Sequence, residues 1–170
     1  MNNNTISVCE EMLKERGYTI QKIEETNDIV KIFFLNELGE KSILSINYSK
    51  LDVNSLKNEM VYVSRNNIKH CIFVYSNVTS YSYNIKNFYK NIKIEIFKIH
   101  ELNFNITKHF LVPKHEKLNN TEKMEFIHKW GEKIPQMLVD DPISKFYYYK
   151  KNDIIKITRK TGYVTYRIVI

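Results

Sequence analysis

The 170-residue chain contains no alanine, four glycines, three prolines, two cysteines and one tryptophan. Four glycines are too few for a glycine-rich phosphate cradle, and neither G-x-x-x-x-G-K-[ST] nor G-x-G-x-x-G occurs. With only Cys9 and Cys71 there is no disulfide framework. Each lies within an apolar pattern, so both are expected to be reduced, buried thiols of a protein kept inside a cell. No apolar run approaches bilayer-spanning length, and the opening "MNNNTISVCEEMLK" has no basic-then-apolar leader, so no membrane association is expected. The missing alanine goes with 19 asparagines, 23 isoleucines and 22 lysines against four arginines. Such a bias reflects AT-rich coding DNA more than function.

Catalytic patterns are missing as well. No Asp or Glu is followed two residues later by Lys, which removes the D/E-x-K strand that a Mg²⁺-dependent nuclease core needs. Histidines 70, 100, 109, 115 and 128 lack metal-ligand spacing, and no Ser or Cys stands in a nucleophile motif. Asp140 and Asp141 are adjacent and cannot converge on one bond as an acid/base pair. The expectation is a non-enzyme with no cofactor, no metal and no small-molecule substrate.

What is present is a folded composition, 43% hydrophobic and 26% charged. A helix is predicted over 7–16, with a Ser7/Glu10 capping box and Gly17 as its stop. Strands follow at 18–23, 29–35 and 42–48, the last alternating as a half-buried strand does, with a turn at 37–40. Asp52 opens a helix to Asn66, and 70–76 reads as a strand covered on both faces. A weaker helix is expected over 81–91 and an alternating strand over 92–99. Beyond this α/β region Pro113 closes a short extended run. A helix spans 121–130 between an Asn119/Glu122 capping box and Gly131, and "PQML" is a short apolar piece. "DIIKITR" and "YVTYRIVI" form a hairpin with Gly162 at its tight point. The fold class is α/β (α+β overall), in two domains, 1–102 and 103–170.

The formal charge of +7 is unevenly spread. Residues 1–102 carry 13 Lys/Arg against 12 Asp/Glu, and residues 103–170 carry 13 against 7. Such an excess fits a polyanion, an acidic protein surface or simply a solvated face.

"HFLVPKHEKL", "KIPQMLVDDPISKF", "DIIKITR" and "YVTYRIV", in this order, resemble the C-terminal domain of the subunit shared by eukaryotic nuclear RNA polymerases I, II and III. In archaea the same domain stands alone as a small RNA polymerase subunit. "NFNITKHFLVPKH" resembles the junction between the eukaryotic subunit's two domains. "TISVCEEMLKERGY" and "VYVSRNNIKHCIFVYS" resemble its first helix and its middle helix with the following strand. The likeness is strong over 105–170 and diffuse before it. It implies an N-terminal jaw domain of nuclease-like topology without an active site, and a small mixed-sheet C-terminal assembly domain docked on the largest polymerase subunit. The implied role is structural support of DNA-directed RNA synthesis, with contact to downstream duplex DNA indirect or weak. The location would be the nucleus if cellular, and host cytoplasm or virion if viral.

On this resemblance the subunit interface falls on Leu111, Val112, Pro113, His115, Asp141, Pro142, Lys145, Arg159, Tyr166 and Arg167, with Lys150 and Lys151 as nucleic-acid contacts. The plainer reading makes Pro113 and Pro142 turn-formers and Tyr166 a packing residue. A free-standing basic nucleic-acid-binding module using the lysines and tyrosines of the tail is the alternative. The sequence departs from the family where Tyr148 and Asn152 replace two glycines, and where the last hairpin is shortened to "KTG". Asn tolerates a left-handed backbone and Tyr does so poorly, so the family's turn is least compatible with this chain at 148.

Overall fold

Leu13, Lys14 and Gly17 show how the chain punctuates itself. The helix α1 (Asn3–Glu15) ends where Gly17 takes φ +75°, its N–H donating to Lys14 O and the Tyr18 N–H to Leu13 O, both at 2.9 Å. Only a residue tolerant of positive φ closes a helix this way. The computed structural model describes residues 3–26, 28–79, 89, 91–131 and 133–170. The helix predicted over 81–91 lies almost wholly outside them. The chain divides into two compact units, Met1–Phe104 and Asn105–Ile170, both of mixed α and β content.

In the first unit, β1 (Thr19–Glu25), β2 (Ile29–Leu35), β3 (Lys41–Leu51), β4 (His70–Val78) and β5 (Lys93–Lys98) form a sheet in that order. Its first two pairings are antiparallel and its last two parallel, with the helix α2 (Val53–Arg65) making the crossover that the parallel β3–β4 pair requires. Asp52 caps α2 by accepting from the Ser55 N–H at 2.7 Å. Leu56, Met60 and Val63 of α2 pack on Ile43, Phe73 and Ile96. The opposite face carries Leu44, Ile72 and Glu95 by alternation, and α1 covers it with Cys9, Met12 and Leu13, all fully buried.

Two expectations for this unit need correcting. The Ser7/Glu10 box does not begin α1, because the helix starts at Asn3 and Ser7 lies inside it. Strand β3 is not half-buried, since Ser42 through Ile46 are all buried between helices on both faces. Continuous burial of β4 over 70–75 follows the apolar run, and both cysteines are buried free thiols whose pKa burial pushes up.

In the second unit, β6 (Lys114–Lys117), β7 (Gln136–Met137), β8 (Ile154–Thr158) and β9 (Val164–Val169) form a sheet of order β6-β8-β9-β7. It is mixed, with β7 parallel to β9 and the other pairs antiparallel. The helix α3 (Asn120–Trp130) has the predicted capping box, with Asn119 accepting from the Glu122 N–H at 2.9 Å and Glu122 from the Asn119 N–H at 2.8 Å. Pro113 precedes a strand instead of ending one, consistent with a residue that has no N–H to give to a ladder. Asp141–Pro142 opens a helix, α4 (Pro142–Tyr147), where a turn was expected. Pro142 occupies the first helical position, whose N–H would go unused, and Asp141 accepts from the Ile143 N–H at 2.9 Å. Ile143 and Tyr149 pack with Met137, Ile155, Ile157 and Val169 as the unit's core.

Candidate functional site

The segment from Val112 to His115, the helix α4 and the β8–β9 hairpin meet at one end of the second sheet. Between them lies a cavity of about 400 Å³. Of the interface residues named from the sequence, Val112, Pro113, His115 and Arg159 line it, beside Ile143 and Tyr147. The hairpin is fastened by two backbone bonds of 2.9 Å, Arg159 N–H to Tyr163 O and Gly162 N–H to Arg159 O, with Gly162 at φ +83°. This turn holds Arg159 and Lys160 exposed at the cavity edge.

His115 is fixed from two sides. Its Nδ1 donates to the Pro113 carbonyl at 2.8 Å, and its own carbonyl accepts from the Tyr149 hydroxyl at 3.3 Å. Burial pushes the His115 pKa below its ordinary value, outweighing the raising influence of the Pro113 carbonyl and Asp141. Burial also pushes the Tyr149 phenol up. These residues therefore form a neutral, hydrogen-bonded wall, with Asp141 engaged as a helix cap.

The remaining predicted residues lie elsewhere. Leu111 is exposed beside Phe110, and Lys145 is half-buried on α4. Tyr166 sits opposite Lys156, on the sheet face away from Ile155 and Ile157, where its ring meets Phe126 of α3 at 4.4 Å. Here the packing reading of Tyr166 describes the geometry. Arg167 is exposed and donates from Nη1 to Gln136 O at 3.4 Å. Lys150 and Lys151 are exposed in the turn after α4.

That turn answers the departure at 148. Tyr148 adopts φ +57° and ψ +41°, closing α4 with its N–H on Lys145 O at 3.1 Å and the Tyr149 N–H on Ser144 O at 2.9 Å. Asn152 takes φ +71°. Both non-glycine residues thus keep the left-handed backbone that glycines would adopt without strain, at a cost of roughly 1–2 kcal/mol for Tyr148.

Sequence reading missed Lys160, Ile143 and Tyr147 as cavity residues. Lys160 was legible as the neighbour of Arg159, and the other two only as the inward positions of a helix that was read as a turn. It also missed a buried network in the first unit. Arg16 donates to both oxygens of Glu95 at 2.8 and 3.0 Å, and His70 Nε2 lies 2.7 Å from Glu95 Oε1. Burial alone raises a carboxyl, but the Arg16 guanidinium together with the His70 hydrogen bond wins and holds Glu95 at about 2. Tyr18 and Phe34 enclose the cluster, stacked on each other at 5.3 Å and each edge-on to His70 at 5.9 Å. Among the described residues no group of three His, Cys, Asp or Glu side chains is placed to hold a metal, and no helix is long and apolar enough to cross a membrane.

Comparison with known proteins gives four findings. The family described as RNA polymerase Rpb5, C-terminal domain, matches residues 104–169. A protein of Invertebrate iridescent virus 6, named as a candidate DNA-directed RNA polymerase subunit, 454R, is 30% identical over 184 aligned positions, covering 99% of this chain and 100% of its own length. DNA-directed RNA polymerase subunit Rpo5 of Archaeoglobus fulgidus is 41% identical over 76 positions, covering 41% of this chain and 100% of its own. Among solved structures, that of EndoMS in apo form is similar at a TM-score of 0.43 and 12% identity, over 55% of this chain and 46% of that one.

Proposed function

The chain belongs to the RNA polymerase Rpb5 family, and from that premise we propose that it serves as a non-catalytic subunit of a multisubunit DNA-directed RNA polymerase. The observation that carries this reading is the alignment with the iridescent virus protein along essentially the whole of both chains. Residues 105–170 act as the assembly domain and dock on the largest polymerase subunit through the Val112–His115 segment, the start of α4 and the Arg159 hairpin. Residues 1–104 support the jaw near downstream duplex DNA, touching it weakly or through neighbours. The protein resides where its polymerase works, in the nucleus if cellular and in host cytoplasm or virion if viral.

Purification of the tagged full chain from its native source tests this. The two largest polymerase subunits are expected to co-purify in near-equal amounts, and a preparation that stays monomeric overturns the reading. The exposed Lys150, Lys151, Arg159 and Lys160 favour one second reading, a free-standing nucleic-acid binder. That reading predicts steeply salt-dependent DNA binding by the isolated chain, lost on changing Lys150 and Lys151.

A further inference from the structure

The cavity of the second unit has walls of two chemistries. Ile143 is buried, and Val112, Pro113 and Tyr147 are half-buried around it, so the floor is apolar. Lys114, Arg159 and Lys160 stand exposed at the rim, and among the described residues no carboxylate lines the space. Lys114 is already engaged, its Nζ lying 2.6 Å from Glu116. Arg159 and Lys160 have no Asp or Glu oxygen within 4.0 Å among the described residues. Two adjacent uncompensated cations repel one another, and an anion arriving between them relieves that repulsion. Their backbone is held by the hairpin turn, so little order remains to be imposed when a ligand binds.

We infer that this cavity receives an acidic segment of another polymerase subunit, which sets an aliphatic or aromatic side chain on the Val112–Ile143–Tyr147 floor and carboxylates on Arg159 and Lys160. The inference rests on the polymerase reading above and names the chemistry of the partner at that site. The volume of about 400 Å³ suits one or two side chains. A guanidinium fork matches a carboxylate in two parallel hydrogen bonds, and the excess positive charge of residues 103–170 steers an acidic partner toward the rim. A nucleic-acid backbone would neutralise the same two cations but leave the apolar floor wet, which favours a peptide.

The test uses the full chain within its purified polymerase. Thr107, a half-buried lining residue, is replaced by the photoreactive p-benzoylphenylalanine, with a second probe at Thr158 should the first disturb folding. After irradiation, mass spectrometry identifies the attached segment. The expected product is a peptide of another subunit with at least two Asp or Glu residues flanking an apolar one. Its yield should fall about tenfold or more when Arg159→Glu and Lys160→Glu are combined, since like charges across an interface cost several kcal/mol. A nucleic-acid adduct, a neutral or basic peptide, no adduct from either probe, or a yield indifferent to charge reversal overturns the inference. Those outcomes leave the polymerase reading standing so long as the chain still co-purifies with the large subunits. Loss of co-purification by the unmodified chain removes both.

Discussion

Residues 1–104 close a sheet between helices on both faces and bury a charged network inside, whereas residues 105–170 cover their sheet thinly. In the first unit Met12, Ile32, Leu44 and Phe73 are all fully buried, and even Arg16 and Glu95 are nearly so. In the second, α3 has no buried residue, and among the described residues eight hydrophobic side chains are buried. Among the described residues, the smaller unit exposes eight large hydrophobic side chains, Phe110, Leu111, Met124, Trp130, Leu138, Val139, Tyr163 and Ile170. The larger exposes four. Surface-to-volume scaling predicts this direction, since a domain of some sixty residues buries only about 60% of the surface its unfolded chain exposes. The two units also differ in how charge is used. A charge pair is sealed inside the first, whereas Arg159 and Lys160 stand exposed on the second with no Asp or Glu oxygen within 4.0 Å among the described residues.

The largest expected effect breaks the sealed network. Glu95→Gln leaves the Arg16 guanidinium, 1% exposed, without its counter-charge, and should destabilise the first unit by about 3–5 kcal/mol. Urea unfolding followed by fluorescence checks this, and a loss under 1 kcal/mol would show that the pair contributes little. A smaller, graded loss is expected on acidification. The Glu95 pKa is held below its unfolded value of 4.5, at about 2, so its stabilisation is complete above 4.5 and disappears as pH falls toward 2. Wild type should therefore lose stability across that window more steeply than Glu95→Gln does, and parallel pH profiles would contradict the assignment. The smallest effect lies in the second unit and has the opposite sign. Tyr148→Gly relieves a left-handed tyrosine and should raise stability by up to about 1 kcal/mol, offset in part by the lost contact of the Lys150 ammonium with the Tyr148 ring. A lowered melting temperature would mean that this contact outweighs the backbone strain.

Much of the local architecture was legible in advance. The Asn119/Glu122 box, the stops at Gly17 and Gly131, the Asp52 cap and the Gly162 hairpin depend on residues a few positions apart, and each formed where the spacing placed it. Local spacing also misled. Ser7 and Glu10 have the right separation for a box, but apolar Val8 and Cys9 packing under the sheet lets the helix extend back to Asn3. Asp-Pro serves equally well as a turn start or a helix start, and the burial of Ile143 and Phe146 resolves it as a helix.

By itself, then, the amino-acid sequence determined most of the described elements, most caps, the buried thiols and the placing of excess positive charge in residues 103–170, because these follow from near neighbours and composition. The family likeness was legible too, being carried by ordered stretches such as "HFLVPKHEKL" and "DIIKITR". Tertiary structure alone decided that Glu95 would be buried against Arg16, 79 positions away, and that Val112, Ile143 and Arg159 would share one cavity while Tyr166 turned to the other face. Such meetings depend on sheet register and on which helix covers which face, and those are settled only when distant segments pack.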